Sequence, residues 1–425
     1  MGLDGSPESL AAARWASGEA RRRKLTLRLL HAWPLLAPEP TRVPAEIDQN
    51  YCAKRIMHNA QAELQARHPD LSIIGNLVAD DAQNALLQAA SESEMLVLGS
   101  RGLELVESTD AIVRIDATTI CGSDLHIQRG DLPEVKPGTI LGHEAVGDVV
   151  EVGRGVHTLR PGDQVIVSSV SACGHCPLCR DGMYGQCRDG GGWILGNLVN
   201  GTQAEFVRGP FADSSTYRRP SSLALDDAVL LAELLPTAYE VGVRNGHVSP
   251  GDTVVVVGAG PVGLAAVIIA RLYSPRRIIA VDLSPSRLEA AARLGADSAE
   301  VPGRLIADLA EGPGADVAIE AAGDPDSFVL CTRVVRAGGH IANIGMHGKP
   351  ATLHLEALWP KNITISTGQV DTSSTPWLLD LVTLGRLPIS PLVTHTFSLD
   401  RMQDAYDVFS HGTDTGALKV VLRRE

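Results

Sequence analysis

Thr253-Val-Val-Val-Val-Gly258-Ala-Gly260-Pro261-Val262-Gly263 decides how the C-terminal half of this chain folds. Four consecutive valines read as a buried strand, and the apolar run Leu264–Tyr273 reads as a helix. Between them the glycines fall as G-x-G-x-x-G, in the strand–turn–helix setting that the pattern requires. The first glycine permits the tight turn, the second lets backbone approach a pyrophosphate, and the third lets helix and strand pack closely. Free N–H groups at the start of the helix then face the phosphates. Nineteen residues after Gly263 stands Asp282, closing the strand-like Ile278-Ile-Ala-Val-Asp282. A carboxylate there accepts hydrogen bonds from an adenosine ribose and repels a 2′-phosphate, which favours NAD over NADP. Arg287 softens that preference without reversing it. Asp282 is also placed to cap the helix that begins near Ser284.

Outward from this stretch, strands are expected at Arg277–Val281, Val317–Glu320 and Ile341–Ile344, so residues 237–376 alternate strand and helix. That alternation predicts a parallel α/β sheet. Residues 103–236 have another texture: short strands, Ala111–Ile115, Ala145–Val152 and Gln164–Ser168, punctuated by Gly and Pro. This is an all-β pattern. Leu392–Glu425 adds two strand-like pieces and the helix Arg401–Phe409. Residues 1–102 alternate again, with helices at Ser9–Arg23, Ala53–Arg67 and Ala82–Ala90 and strands at Leu25–Ala32, Leu71–Val78 and Met95–Gly99. A chain of 425 residues exceeds one hydrophobic core. The expected divisions are 1–102, 103–236, 237–376 and 377–425.

The formal charge is -13, and acidic residues outnumber basic ones on both sides of residue 107. That argues against a nucleic-acid partner and against an anionic membrane surface. The N-terminus lacks a basic stretch leading into an apolar core, and the longest apolar run, Val254–Ala270, is broken by glycines and a proline. It is too short to span a bilayer comfortably. The expected location is cytoplasmic.

Four of the seven cysteines crowd into fifteen residues: Cys173, Cys176, Cys179 and Cys187, spaced C-x2-C-x2-C-x7-C. Thiolates at that density suit a closed tetrahedral zinc with no position left for substrate. An iron–sulfur cluster takes similar ligands, but nothing else in the chain indicates electron transfer. Cys52 and Cys331 stand alone and read as small buried hydrophobes. Upstream lie Cys121-Gly-Ser123-Asp124-Leu-His126 and then Gly142-His143-Glu144-x2-Gly147-x5-Gly153.

From Asp110 to Glu425, these motifs in this order resemble the zinc-containing medium-chain alcohol dehydrogenase family. The resemblance implies a Rossmann NAD-binding domain and a GroES-like β catalytic domain, to which residues 377–425 return. It implies that Cys121 and His143 hold a catalytic zinc. Glu144 is then the adjacent carboxylate able to join them, and Glu233 fills a position where similar dehydrogenases carry Asp. The longer Glu233 side chain favours ligand exchange with Glu144. Asp124 matches the carboxylate that orients the ligand histidine. Ser123 matches a relay hydroxyl, His126 the base that passes the proton to solvent, and Thr237 a residue beside the nicotinamide. Trp193 aligns with a wall of the substrate pocket, and equally suits packing within the metal-bearing lobe. The implied enzyme binds two zinc ions per chain, as a homodimer or homotetramer. It moves a hydride from a small primary or secondary alcohol to NAD+, giving an aldehyde or ketone. A polyol or threonine dehydrogenase shares every one of these motifs.

Asp4-Gly-Ser-Pro-Glu-Ser9, Leu29-Leu-His-Ala-Trp33 and Leu96-Val-Leu-Gly-Ser-Arg-Gly102 resemble the universal stress protein family, a flavodoxin-like α/β fold with many ATP-binding members. The match is clipped. Its first strand is expected before Asp4, and its phosphate loop, G-x2-G-x9-G-[ST], keeps Gly99 and Gly102 but meets Ile112 and Val113. Weak or no ATP binding is expected. The β domain is clipped too: two strands normally precede Asp110, and Leu103–Glu107 supplies at most one. Unpaired backbone is expected at the parallel sheet of the first segment, and a loss of several kcal/mol of stability in the β domain from its missing edge strand. A second reading of the whole chain is therefore a nucleotide-binding stress or regulatory protein whose dehydrogenase part does not turn over.

Overall fold

The computed structural model describes residues 2–424 apart from 4, 6, 33–48, 79, 81, 98–106 and 304–311. The chain divides into two compact units, Met1–Leu105 and Val106–Glu425. None of the described helices is long and apolar enough to cross a membrane.

In the first unit, β1 (Leu27–Ala32) and β2 (Ile73–Val78) pair in parallel, and Gly2 forms a bridge with Leu30. Helices Pro7–Arg23, Gln49–Arg67 and Ala82–Ser91 accompany them. The core is small and built around Leu3, Ala13, Leu29, Met57 and Leu64. The strand expected at Met95–Gly99 does not form over Met95–Val97; Leu98 and Gly99 lie outside the described residues. Val97 offers one carbonyl to the Gly2 N–H at 3.1 Å and packs its side chain against the core. Its apolar run thus serves packing without a ladder. The phosphate-loop glycines 99 and 102, the candidate strand 103–107 up to residue 106, and the Cys52 side chain also lie outside the described residues.

Among its described residues the second unit holds two sheets. In chain order its strands are β3 (Ala111–Thr119), β4 (Ala145–Val152), β5 (Gln164–Val167), β6 (Phe206–Gly209) and β7 (Thr216–Arg218). Then come β8 (Thr253–Val257), β9 (Arg277–Val281), β10 (Ser298–Glu300), β11 (Ala315–Glu320), β12 (Val335–Asn343) and β13 (Thr364–Thr367). Last are β14 (Val393–Ser398) and β15 (Lys419–Arg423).

Strands β8 to β13 make one parallel sheet in the order β10-β9-β8-β11-β12-β13, the doubly wound arrangement of a dinucleotide-binding fold. Helices cover such a sheet on both faces, so its strands read as unbroken apolar runs, and Val254, Val255 and Val256 are fully buried. The helix after the fingerprint runs Pro261–Ala270, and its last expected turn tightens into a 3-10 segment, Arg271–Tyr273. Residues Gly263 to Ala270 are all buried, as befits a helix apolar on every side.

The other sheet is ordered β14-β15-β3-β4-β5-β7, with β6 also on β3. β3 is not an edge. β4 lines one side of it, while the other side is shared by β6, over Ala111–Arg114, and β15, over Ala117–Thr119. β3 therefore has a strand partner along both sides. The chain's last strands supply part of the cover.

Candidate active site and metal centres

Cys121 follows β3 and heads the helix Gly122–Arg129, so its thiol is set by the turn out of the strand. His143 and Glu144 lead directly into β4, and Glu233 precedes the short helix Leu234–Thr237. Each offers one ligand atom, and those atoms all lie within 4.8 Å of one another. Glu233 Oε2 is 3.4 Å from Cys121 Sγ and 3.3 Å from His143 Nε2. Ser123 Oγ lies 3.5 Å from the same imidazole nitrogen.

The electrostatics of this cluster suit a cation. Burial pushes the Glu144 carboxyl up to about 7, against the pull of Lys419. Burial acts the same way on Glu233, but the His143 imidazole beside it holds that carboxyl well below the usual range. His143 is in turn raised well above its ordinary value: Glu233 and Cys121 outweigh the desolvation that alone lowers it. A thiol and two carboxyls this close repel one another once ionised, and a divalent ion among them removes that penalty. Glu144 Oε1 is buried without a hydrogen-bond partner. A sulfur, an imidazole nitrogen and carboxylate oxygens are a donor set that zinc accepts. The residues fit the ion.

Glu144 is held from the far side. Its Oε2 meets Lys419 Nζ at 2.6 Å and accepts the Thr119 hydroxyl. Lys419 is 2% exposed and also donates to the Ile120 carbonyl at 3.2 Å.

Cys173, Cys176, Cys179 and Cys187 form the second cluster, with their sulfurs within 4.8 Å of one another. Main-chain N–H groups point at three of these sulfurs: Cys173 N at Cys187 (3.4 Å), Cys176 N at Cys173 (3.3 Å) and Cys179 N at Cys176 (3.5 Å). Such donors stabilise thiolate. The main-chain N–H groups of Arg188 and Cys179 bring Cys176 down to about 6, while burial takes Cys179 up to about 12. Four sulfurs with oriented donors behind them fit a closed tetrahedral zinc. His175 and Asp189, 3.2 Å apart and exposed, adjoin the same lobe at Cys173. The lone Cys331 is fully buried, as expected.

A cleft of about 720 Å³ borders the first cluster, and both Cys121 and the glycine-rich turn Gly260-Pro261-Val262 line it. Gly258 has φ +100°, and a Cβ there meets the Ala322 nitrogen at 2.7 Å. A Cβ on Gly263 meets the Gly258 carbonyl at 1.8 Å, whereas one on Gly260 meets nothing within 4 Å. The middle glycine therefore opens on free space, where a ligand can approach backbone.

Asp282 stands just past β9. One of its oxygens accepts from Ala259 N and the other from Ser284 N, each at 2.8 Å. The carboxylate thus steadies both the fingerprint loop and the helix Pro285–Leu294, and Arg287 lies 3.8 Å away. Of the other expected site residues, Ser123, His126, Trp193, Glu233, Thr237 and Arg287 also line the cleft. Asp124, His143 and Glu144 are buried, at 0%, 1% and 1% exposure. Trp193 sets its ring edgewise to His143, with centroids 5.4 Å apart. His126 turns Nδ1 to Asp131 at 2.6 Å.

Several contributors escaped the sequence reading. Lys419 had a signal, a single charge inside the apolar run Ala417-Leu-Lys-Val-Val-Leu422. Ser169 Oγ, like Thr237 Oγ1 and Trp193 Nε1, is buried without a partner beside the cleft, and only the fold reveals it. Gln203, Glu240 and Tyr406 act through contacts distant in sequence, and no local pattern marks them.

Comparison with known proteins agrees with this geometry. The alcohol dehydrogenase GroES-like domain family matches residues 107–221, the zinc-binding dehydrogenase family matches 261–383, and the universal stress protein family matches 1–109. An alcohol dehydrogenase of Cupriavidus necator is 32% identical over 373 residues, covering 80% of this chain and 99% of the relative. The chain belongs to the zinc-type medium-chain alcohol dehydrogenases, and carries a universal stress protein segment before the dehydrogenase part. Among solved structures, zinc-dependent alcohol dehydrogenase 2 from Streptococcus pneumonia is 43% identical with a TM-score of 0.74, covering 78% of this chain and 95% of its own. An Escherichia coli CFT073 alcohol dehydrogenase solved with NADH is 28% identical with a TM-score of 0.69, covering 77% and 95%.

Proposed function

We propose that this chain is a zinc-dependent dehydrogenase transferring a hydride between a small primary or secondary alcohol and NAD+, with an aldehyde or ketone as product. One observation carries the reading: the group containing Cys121, His143 and Glu233 and the glycine-rich turn at Gly260 border a single cleft. The similar structure solved with NADH and the relatives' names support it. When bound at the first cluster, zinc supplies a Lewis acid that polarises the alcohol oxygen.

The chain's own residues divide the remaining work. Cys121, His143 and Glu233 hold the ion, and Glu144 is a reserve ligand whose release requires breaking its buried pair with Lys419. Ser123 takes the hydroxyl proton through its Oγ. His126, its Nδ1 engaged by Asp131, hands the proton to solvent from Nε2. Ser123 and His126 both line the cleft, so a bound cofactor would supply the hydroxyl that carries the proton from one to the other. Asp282 accepts from the adenosine ribose, with Arg287 beside it, while Thr237 and Trp193 bound the nicotinamide and substrate. The four cysteines hold the second, closed zinc. The family resemblance supports a homodimer or homotetramer.

Metal content and NADH formation with 2-propanol test the reading on the purified chain. Two zinc ions per chain and steady NADH formation are expected. Two zinc ions with no NADH from any small alcohol refute it. Asp282→Ala is expected to weaken NAD about tenfold more than NADP, roughly the worth of one charge-assisted hydrogen bond. Fluorescence titration with both cofactors measures this, and an unchanged ratio removes Asp282 from ribose binding.

A further inference from the structure

Behind His143, a chain of hydrogen bonds of fixed direction runs from Tyr406 through Gln203 to Asp124, whose free oxygen faces the imidazole. Tyr406 Oη lies 2.8 Å from Gln203 Oε1, and an amide oxygen carries no hydrogen, so the tyrosine donates. Gln203 Nε2 lies 3.1 Å from Asp124 Oδ2 and 3.3 Å from the Thr119 carbonyl oxygen. Turning the amide over sets its oxygen against a carboxylate and a carbonyl, both acceptors, so one orientation alone satisfies the site. Asp124 Oδ2 also accepts the Cys121 N–H at 2.9 Å. With Oδ2 engaged twice, Oδ1 is left to face His143 Nδ1 at 3.7 Å, and neither atom has a hydrogen-bond partner elsewhere or in this contact, which is longer than a hydrogen bond. Gln203 and Tyr406 are each 6% exposed, which shields the line from water.

We propose that Gln203 and Tyr406 are positioning residues that fix the tautomer and orientation of His143, holding its hydrogen on Nδ1 and its lone pair on Nε2. The inference rests on the reading of Cys121, His143 and Glu233 as a metal-holding group. Nε2 is the atom that faces Glu233, and a histidine binds metal only through a bare nitrogen. The Gln203 amide anchors Oδ2, which aims Oδ1 at the imidazole N–H. Tyr406 satisfies the buried amide oxygen and keeps Gln203 extended toward Asp124. The tyrosine comes from the helix Met402–Ser410, 203 residues beyond its partner, so the last part of the chain sets a ligand near the start of the β sheet. Outer partners of metal-binding histidines act in this way elsewhere.

The test uses the full chain loaded with zinc and follows metal release to a chromogenic chelator. Two release phases are expected, one per cluster, and Cys121→Ser identifies the catalytic one by deleting it. Gln203→Met keeps the side-chain volume without the donor and should speed release in that phase about tenfold or more. Tyr406→Phe, which removes one hydroxyl, should speed it about threefold, a fraction of the same outer-partner effect. In both variants the four-cysteine phase and the melting temperature should stay near wild type. Cobalt substitution gives a second readout, a shifted visible band from the catalytic site alone. Wild-type release from both variants overturns the proposal. So does equal acceleration of both phases with a lowered melting temperature, which marks a general packing role. If Cys121→Ser leaves both phases intact, the metal-holding reading itself is wrong.

Discussion

Exchanging Cys121 for serine should lower kcat/KM for alcohol oxidation about a thousandfold or more, equivalent to ~4 kcal/mol of barrier. The thiol carries the soft ligand of its cluster, and its sulfur approaches Glu233 to 3.4 Å. Burial first, and then Glu233, raise its pKa against the pull of Lys419, so a metal ion is what would ionise it. A serine hydroxyl is a far weaker ligand, shorter in reach and neutral at ordinary pH. The fold has little reason to change. The swap nearly preserves volume, and the main-chain N–H that binds Asp124 remains. Zinc per chain should fall from two to one while circular dichroism and the four-cysteine lobe stay intact. Full activity with two zinc ions retained removes Cys121 from the site.

Glu240→Ala should destabilise the protein by about 3–5 kcal/mol, a large part of a typical domain's stability. Glu240 lies within a π-helix, Ala238–Arg244, and is 1% exposed. Its carboxylate accepts main-chain N–H groups from Asp371 (2.9 Å), Thr372 (3.1 Å) and Ser374 (2.8 Å), and the hydroxyls of Ser373 (3.2 Å) and Ser374 (2.6 Å). Alanine leaves the three main-chain N–H groups without that acceptor, at about 1 kcal/mol or more for each, while the two hydroxyls can turn to other partners. The same bonds hold Thr372 at φ +56°, a costly conformation for a β-branched residue. Gly368, Gln369 and Val370 of this loop line the cleft, and Asp371 accepts the Gly185 N–H beside the four cysteines. Weaker dinucleotide binding should therefore accompany the lower melting temperature. A melting temperature within a degree of wild type would show that the loop holds itself.

What the sequence made legible was local. The fingerprint Gly258-Ala-Gly-Pro-Val-Gly263 carries its reason within six residues, since the Gly263 position collides with the Gly258 carbonyl once it has a Cβ. The glycines after His143 are likewise steric: a Cβ on Gly147 meets the Arg114 carbonyl at 2.0 Å, and one on Gly153 meets that of Glu107 at 2.0 Å. The four cysteines were legible because their chemistry is dense in sequence. Lys419, Glu240 and Gln203 were not, because each is a buried polar group whose partner lies far along the chain. Met95–Val97 misled for the opposite reason: its apolar run fits strand and packing segment equally, and periodicity does not separate them.

The two-sided cover of β3 sets a schedule for synthesis. The Lys419 ammonium and the Ile120 carbonyl it reaches are 299 residues apart in the chain. At about 5–20 residues per second, roughly 15–60 s separate their emergence from a ribosome. Throughout that interval β3 lacks β15 along Ala117–Thr119, and Glu144 lacks its buried cation. The parallel sheet of β8 to β13 is made meanwhile and can fold while the catalytic sheet waits. Nascent chains stalled before residue 419 should therefore protect the dinucleotide half from protease and leave the catalytic half open to it. For as long as synthesis takes to reach β15, that waiting edge keeps backbone donors and acceptors of β3 without their strand partner.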